Sequence, residues 1–336
     1  MVTVASYPVA VLMCIVTMLC WGSWANTQKL AKKEWPFQLF YWDYCLGVVL
    51  LTLVFALTLG SFGEGGRSFF ADLGQAKPEF IAYAVIGGVV FNLANLLLVA
   101  AIDIAGMAVA FPIGIGLALV IGVAATYRVD PSGNPGLLFA GVACITAAIV
   151  LDALAYRKLP AGGQKATTKG VVLSVLCGLL MGQFFPFVAK SMPPLDQLAS
   201  AENAGMLTPY TALVFFALGL FFSSFVFNVI VMKKPFVGDP VTLGAYFTEG
   251  TPRLHAIGML GGAIWGVGMS FAILAGDTAG YAISYGLGQG ATMVAAFWGV
   301  VVWKEFAEAP AGVGRLLNAM FALFIAGLAM IVYANA

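Results

Sequence analysis

Residues 87–116 read GGVVFNLANLLLVAAIDIAGMAVAFPIGIG, and residues 261–290 read GGAIWGVGMSFAILAGDTAGYAISYGLGQG. Gly87, Gly88, Asp103, Gly106, Gly114 and Gly116 recur at Gly261, Gly262, Asp277, Gly280, Gly288 and Gly290, every pair 174 residues apart. Chance would align one or two of the 40 glycines, not the whole series in register. A weaker echo links Trp21-Gly22 with Met181-Gly182. The chain is therefore expected to be two copies of one unit, with the halves at 1–157 and 169–336 and a linker at 158–168.

Both copies lie in apolar surroundings. Of the 336 residues 61% are apolar and 9% charged, against roughly 25% charged in a soluble domain. A soluble fold could not hide so much apolar surface from water, but a bilayer can. A spanning helix needs about 20 apolar residues. Stretches of that length fall near 8–29, 37–60, 79–101, 106–127 and 136–156, and again near 169–190, 209–232, 254–275, 279–302 and 312–334. This predicts an all-α integral membrane protein of ten helices, five per copy. The breaks at Asp103 and Asp277 are the shortest. Five is odd, so the second copy would cross in the opposite sense to the first. Inverted repeats of this kind build many alternating-access carriers, with substrate held near the midplane between the halves.

Charge supplies the orientation. Twelve of the 16 Lys and Arg residues fall in the loops after helices 1, 5, 7 and 9, among them Lys29, Lys32, Lys33, Arg157 and Lys304. Arg67, Lys77, Arg128 and Lys190 lie on the other side. The richer side is expected to be cytoplasmic, with both termini outside. The net charge of +1 gives no sign of a nucleic-acid partner. Cys14, Cys20, Cys45, Cys144 and Cys177 sit in apolar stretches without a CxxC pair, and His255 is the only histidine. Neither a metal site, a cofactor site nor a Ser-His triad is expected.

Asp43, in Tyr41-Trp42-Asp43-Tyr44, lies about two turns inside the second helix. An intramembrane carboxylate costs about 3 kcal/mol on insertion scales. A desolvated carboxyl is suited to bind a proton and release it, or to hold a polar substrate. The competing reading is an acid favoured by the dipole at a helix start and paired with Lys32 or Lys33. Asp103 and Asp277 could cap the helices that follow them or act as gates, one on each side of the membrane.

Uncharged polar residues point towards a cavity. Gly88, Asn92 and Asn95 share one face of the third helix. Tyr281, Tyr285, Gly288 and Thr292, with Gln289 beside them, line the ninth. Trp21, Trp24 and Asn26 end the first helix, and the sixth carries Gln183. Such a set could stack a flat polar solute on aromatic rings and bond it through amides. The same residues could instead knit helices together. Pro112 with Gly114 and Gly116 should loosen the fourth helix, as Pro186 should the sixth.

The pattern resembles the ureide permease family within the drug/metabolite transporter superfamily, to which glucose/ribose and rhamnose porters are related. The resembling pieces are Gly22-Ser23-Trp24, Trp42-Asp43-Tyr44, Gly87-Gly88 with Asn95, Gly141-Val142-Ala143-Cys144, Tyr210-Thr211-Ala212, and Ala279-Gly280-Tyr281-Ala282 running to Phe297-Trp298-Gly299. The better-known plant members have a longer central hydrophilic loop than the dozen residues here. Several polar positions of the ninth helix also differ. The resemblance implies proton-coupled uptake of neutral nitrogen-rich rings such as allantoin or uracil; sodium is the alternative coupling ion, and a bacterial inner membrane is the expected location. A monosaccharide symporter and a multidrug exporter are the alternatives. Nothing in the chain indicates its oligomeric state.

Overall fold

The structure is a computed structural model that describes residues 1–31, 35–159, 167–198, 200–236 and 238–335. The Asp103 side chain, Lys32, Lys33 and most of the predicted linker lie outside the described residues. Among the described residues there is no strand. Ten helices are long and apolar enough to cross a bilayer, and the protein is a multi-pass membrane protein. They are α1 Tyr7–Ala31, α2 Phe37–Leu57, α3 Pro78–Ala105, α4 Phe111–Val129, α5 Pro135–Arg157, α6 Thr168–Lys190, α7 Pro209–Lys233, α8 Pro252–Ala279, α9 Tyr281–Val302 and α10 Val313–Tyr333. Pro78, Pro135, Pro209 and Pro252 stand at helix starts, where a missing N–H costs nothing.

The two short breaks expected near Asp103 and Asp277 each close on one residue. Gly106 (φ 77°) ends α3 and Gly280 (φ 87°) ends α8, a backbone region open to glycine and strained for other residues. Chain direction therefore changes without a loop, at the same place in both copies. The repeated glycines further on mark a second irregularity. A π-turn at Phe111–Ile115 opens α4 around Pro112 and Gly114, and α9 is interrupted between Tyr281–Gly288 and Ala291–Phe297. The expected loosening of α4 has a structural form here, since Pro112 cannot donate to the helical ladder. α6 continues as one helix through Pro186.

Packing repeats as well. α3 lies against α6 and α7, while α8 lies against α1 and α2. Each copy's third helix thus packs on the first two helices of the other copy. Glycines make these contacts close. A methyl added at Gly88 would lie 2.0 Å from the Phe216 carbonyl oxygen, and one at Gly262 would lie 1.9 Å from that of Tyr44. The partner helices return the contact: methyls at Gly219 and Gly47 would lie 2.3 Å and 2.1 Å from the carbonyl oxygens of Val85 and Met259. Val85 and Met259 are themselves 174 residues apart. This reciprocity is consistent with two halves related by a two-fold axis. α5 and α10, one from each half, also pack on each other.

Candidate functional site

A cavity of about 240 Å³ lies where the repeated helices cross. Its walls run from the middle of the bundle, at Trp21 and Trp265, to the end bearing Lys29, at Gln28, Ile102 and Ala295. Six aromatic rings, Trp21, Trp24, Phe91, Phe111, Phe184 and Trp265, border it. Trp265 touches Phe91 with ring centroids 4.3 Å apart, and Trp21 stacks on Trp265 at 5.9 Å and 12°. Gly268 and Gly288 leave room for the Trp21 indole, since methyls there would lie 2.7 Å from Cδ1 and 2.8 Å from Cζ3.

The lining comes in repeat-related pairs. Phe91 and Trp265 are equivalent across the 174-residue repeat, and so are Ile115 and Gln289. The weaker echo relates Trp21 to Met181 and Trp24 to Phe184, and all four border the cavity. The chemistry of the paired positions is not symmetric: where the second copy has Gln289, the first has Ile115.

Of the residues singled out by sequence, Trp21, Trp24, Asn95, Gln289 and Thr292 line this cavity. Asn95 is only 4% exposed and donates to the Tyr41 hydroxyl at 3.3 Å. Gln289 is 8% exposed, and its side-chain amide has no hydrogen-bond partner among the described residues. A buried primary amide offers two donors and an acceptor, so this one is available to a solute. Thr292 donates to the Gln289 backbone carbonyl at 2.9 Å.

The remaining candidates lie elsewhere. Asn92 faces α7, donating to the Ser223 and Ser224 hydroxyls at 2.7 and 3.1 Å and accepting from Tyr41 OH at 3.0 Å. Asn26 accepts from Trp303 Nε1–H at 2.7 Å at the Lys29 end. Gln183 is half-buried on α6 and does not border the cavity. Tyr285 donates its hydroxyl towards the Ala118 and Met181 carbonyls at 3.2 and 3.3 Å, and Tyr281 is buried beside Phe185.

At the end opposite Lys29, polar contacts tie the connecting segments together. Arg67 bonds Asp72 and the carbonyls of Leu198 and Met206 at 2.7–2.9 Å, and Asp72 also accepts from the Thr208 amide and hydroxyl. Asp277 accepts from the Leu195 amide at 2.8 Å, across to the α6–α7 connection. The amide of Tyr281, at the start of α9, is bonded instead by Asp130 at 3.1 Å.

Asp43 is 1% exposed and stands outside the cavity, in a cluster of its own. Trp35 Nε1–H donates to Oδ2 at 3.1 Å, the Tyr246 hydroxyl donates to Oδ1 at 2.5 Å, and His255 Nδ1 lies 2.9 Å from Oδ1. A methyl at Gly258 would lie 2.4 Å from the Asp43 Cβ, so α8 passes close enough to bring His255 in. Burial, and then the carboxylate it donates to, raise the Tyr246 pKa above the ordinary phenol range. Tyr246 is therefore a constant donor.

Trp265, Phe184 and Gln28 were missed by sequence reading, as were Trp35, Tyr246 and His255. The first two are legible as repeat partners of Phe91 and Trp24. The second group has no such signal, because its members meet Asp43 only through the fold.

Comparison with known proteins agrees with this architecture. A chain of known crystal structure superposes with a TM-score of 0.60 at 18% identity, covering 97% of this chain and 96% of that one, a likeness of fold alone. Ureide permease 1 of Arabidopsis thaliana is 25% identical over 374 residues, covering 94% of each chain. Probable ureide permease A3 of Vigna unguiculata is 24% identical, covering 85% of this chain and 92% of its own. The family description "Ureide permease" matches residues 40–161 and 161–334. With almost its whole length matched, the chain belongs to the ureide permease family, a family of transporters rather than enzymes.

Proposed function

We propose that the chain imports small neutral polar ring solutes, ureides such as allantoin or nucleobases such as uracil, by alternating access of the central cavity. The carrying observation is the free Gln289 amide set among Trp21, Trp24, Phe91 and Trp265. Rings would hold a planar solute by its faces, and the amide would bond an edge that both donates and accepts. The names of the relatives support the same substrate class.

The halves 1–157 and 169–336 act as the two rocking units. In favour of this are the reciprocal glycine contacts, which allow close sliding of α3 and α8 over their partners, and the single-residue turns at Gly106 and Gly280. Contacts at the Arg67 end close one side while the cavity reaches towards the Lys29 end. With that end cytoplasmic, as the lysine and arginine distribution favours, this is an inward-facing state. Coupling is to protons, with Asp43 as carrier and His255 as its exchange partner. Kinship with the drug/metabolite transporter superfamily, including sugar porters, is part of this proposal.

A thermal-shift screen of the purified protein tests the substrate, since a ligand that binds only the folded state raises apparent stability. Stabilisation by allantoin or uracil and not by glucose or rhamnose supports the proposal. Stabilisation by a sugar alone makes the protein a sugar porter, and stabilisation by apolar cations alone makes it a multidrug carrier.

A further inference from the structure

We propose that Asp152 is a second proton-binding site, separate from Asp43, at the corner where the end of α5 approaches the end of α9 and, through Glu305, is linked to α1. Asp152 is 3% exposed, and its Oδ1 has no hydrogen-bond partner among the described residues. Asp43 has three groups converging on it, whereas Asp152 has been given none at this oxygen. A buried carboxylate left in that condition is costly, and taking up a proton removes the charge.

Its neighbours form a connected cluster. Tyr156 lies one turn on along the same face of α5, and its hydroxyl donates to Glu305 Oε2 at 2.8 Å. The other oxygen of Glu305 is 2.9 Å from Lys29 Nζ. Lys29 also sits 4.8 Å above the Trp303 ring, and Trp303 bonds Asn26. The Tyr156–Glu305 pair fits against the π-turn Trp298–Val302, where a methyl at Gly299 would lie 2.9 Å from both of its oxygens. π-turns inside helices recur at functional sites.

Two titratable groups lie near Asp152: Tyr156 on its own helix and Glu305 on the α9–α10 connection. Through Glu305 the cluster reaches Lys29 on α1. Of the other elements near α5, α10 carries at this end Arg315, which is exposed, and the last turn of α3 carries Asp103, whose side chain is outside those described.

The step is a simple proton equilibrium. Asp152 releases its proton to water at the Lys29 end and becomes a carboxylate beside Glu305, and no other bond changes. A second negative charge then competes for Lys29 and alters the bridge that ties α1 to the end of α9. Both helices line the cavity, so proton occupancy at this corner is felt in the cavity walls.

Infrared difference spectroscopy of the full chain in liposomes, titrated with pH and without any solute, tests the site. A carbonyl band of a protonated carboxylic acid should appear as pH falls in the wild type and in Asp43→Asn. A component of it should be lost in Asp152→Asn and return with a displaced midpoint in Asp152→Glu. Glu305→Gln should keep the band and displace its midpoint. A band unchanged in Asp152→Asn, a band that never varies with pH, or no band in any protein overturns the proposal. An unmoved midpoint in Glu305→Gln overturns the link to Lys29. No substrate enters the measurement, so its failure is distinct from failure of the ureide reading.

Discussion

Phe91 and Trp265 hold the same position in the two repeats, 174 residues apart, and meet each other with ring centroids 4.3 Å apart on the cavity wall. Their contact sets equivalent positions of the two copies side by side on the cavity wall, as expected where a two-fold relation between the copies has its centre. Phe216, stacked on the outer face of Trp265 at 5.9 Å and 16°, fixes the indole plane from behind.

Truncating that indole should separate binding from rigid support. Trp265→Ala removes a buried aromatic at a cost of about 3–5 kcal/mol, and it should abolish stabilisation by an added ureide. Trp265→Phe keeps a ring in place and should retain part of it. Melting temperatures with and without allantoin measure both effects. Equal ligand shifts in wild type and Trp265→Ala would remove this residue from the site.

Two glycines of the repeat should behave oppositely. Gly262→Ala places a methyl 1.9 Å from the Tyr44 carbonyl oxygen, a backbone atom that cannot swing away, and overpacking of this kind costs about 1–3 kcal/mol or more. Gly116→Ala meets nothing within 4 Å in helical backbone, and alanine is favoured over glycine in helices by roughly 0.5–1 kcal/mol. Yield and melting temperature should fall sharply for the first and hold or rise for the second.

What could be read from the sequence divides along the range of the interactions. The ten spans depend on local hydropathy, and they lie within a few residues of their expected places. In the glycine register, Gly88 and Gly262 are fixed by backbone contact that admits no side chain, and Gly106 and Gly280 by a positive φ. Asn92 and Asn95 show the limit. They share a helix face by spacing, yet Asn92 turns to the serines of α7 while Asn95 borders the cavity, and periodicity cannot say which neighbour lies on which edge. For Asp43 the sequence marks an intramembrane acid but not its partners Tyr246 and His255, which stand 203 and 212 residues away.

The two buried amides lead to a second contrast. Asn92→Ala takes the acceptor from the Tyr41 hydroxyl and a donor from those of Ser223 and Ser224, and an unsatisfied buried group costs about 1–3 kcal/mol. Stability should drop while the apparent affinity for solute stays the same. Gln289→Ala breaks no bond among the described residues, so the melting temperature of the empty protein should hold while affinity falls by tenfold or more, the loss of one or two buried hydrogen bonds. The reverse pattern would exchange their roles.

Asp43 and His255 make the pH dependence of uptake the most direct test of coupling. If they share the transported proton, uptake into liposomes should rise as pH falls on the side from which solute enters, because the proton-bound form starts the cycle. Asp43→Asn cannot release a proton and should flatten that dependence while leaving solute exchange across the membrane intact. His255→Gln keeps a hydrogen-bonding side chain beside Oδ1 but loses the exchange partner, so the midpoint of the profile should move without loss of binding. Tyr246→Phe serves as the control for packing, since Tyr246 remains a donor throughout the accessible range. That variant should weaken the cluster and leave the shape of the profile alone. A wild-type profile retained in Asp43→Asn would mean that this carboxylate is structural, anchoring Trp35 and Tyr246 to α2, and that the coupling proton binds elsewhere.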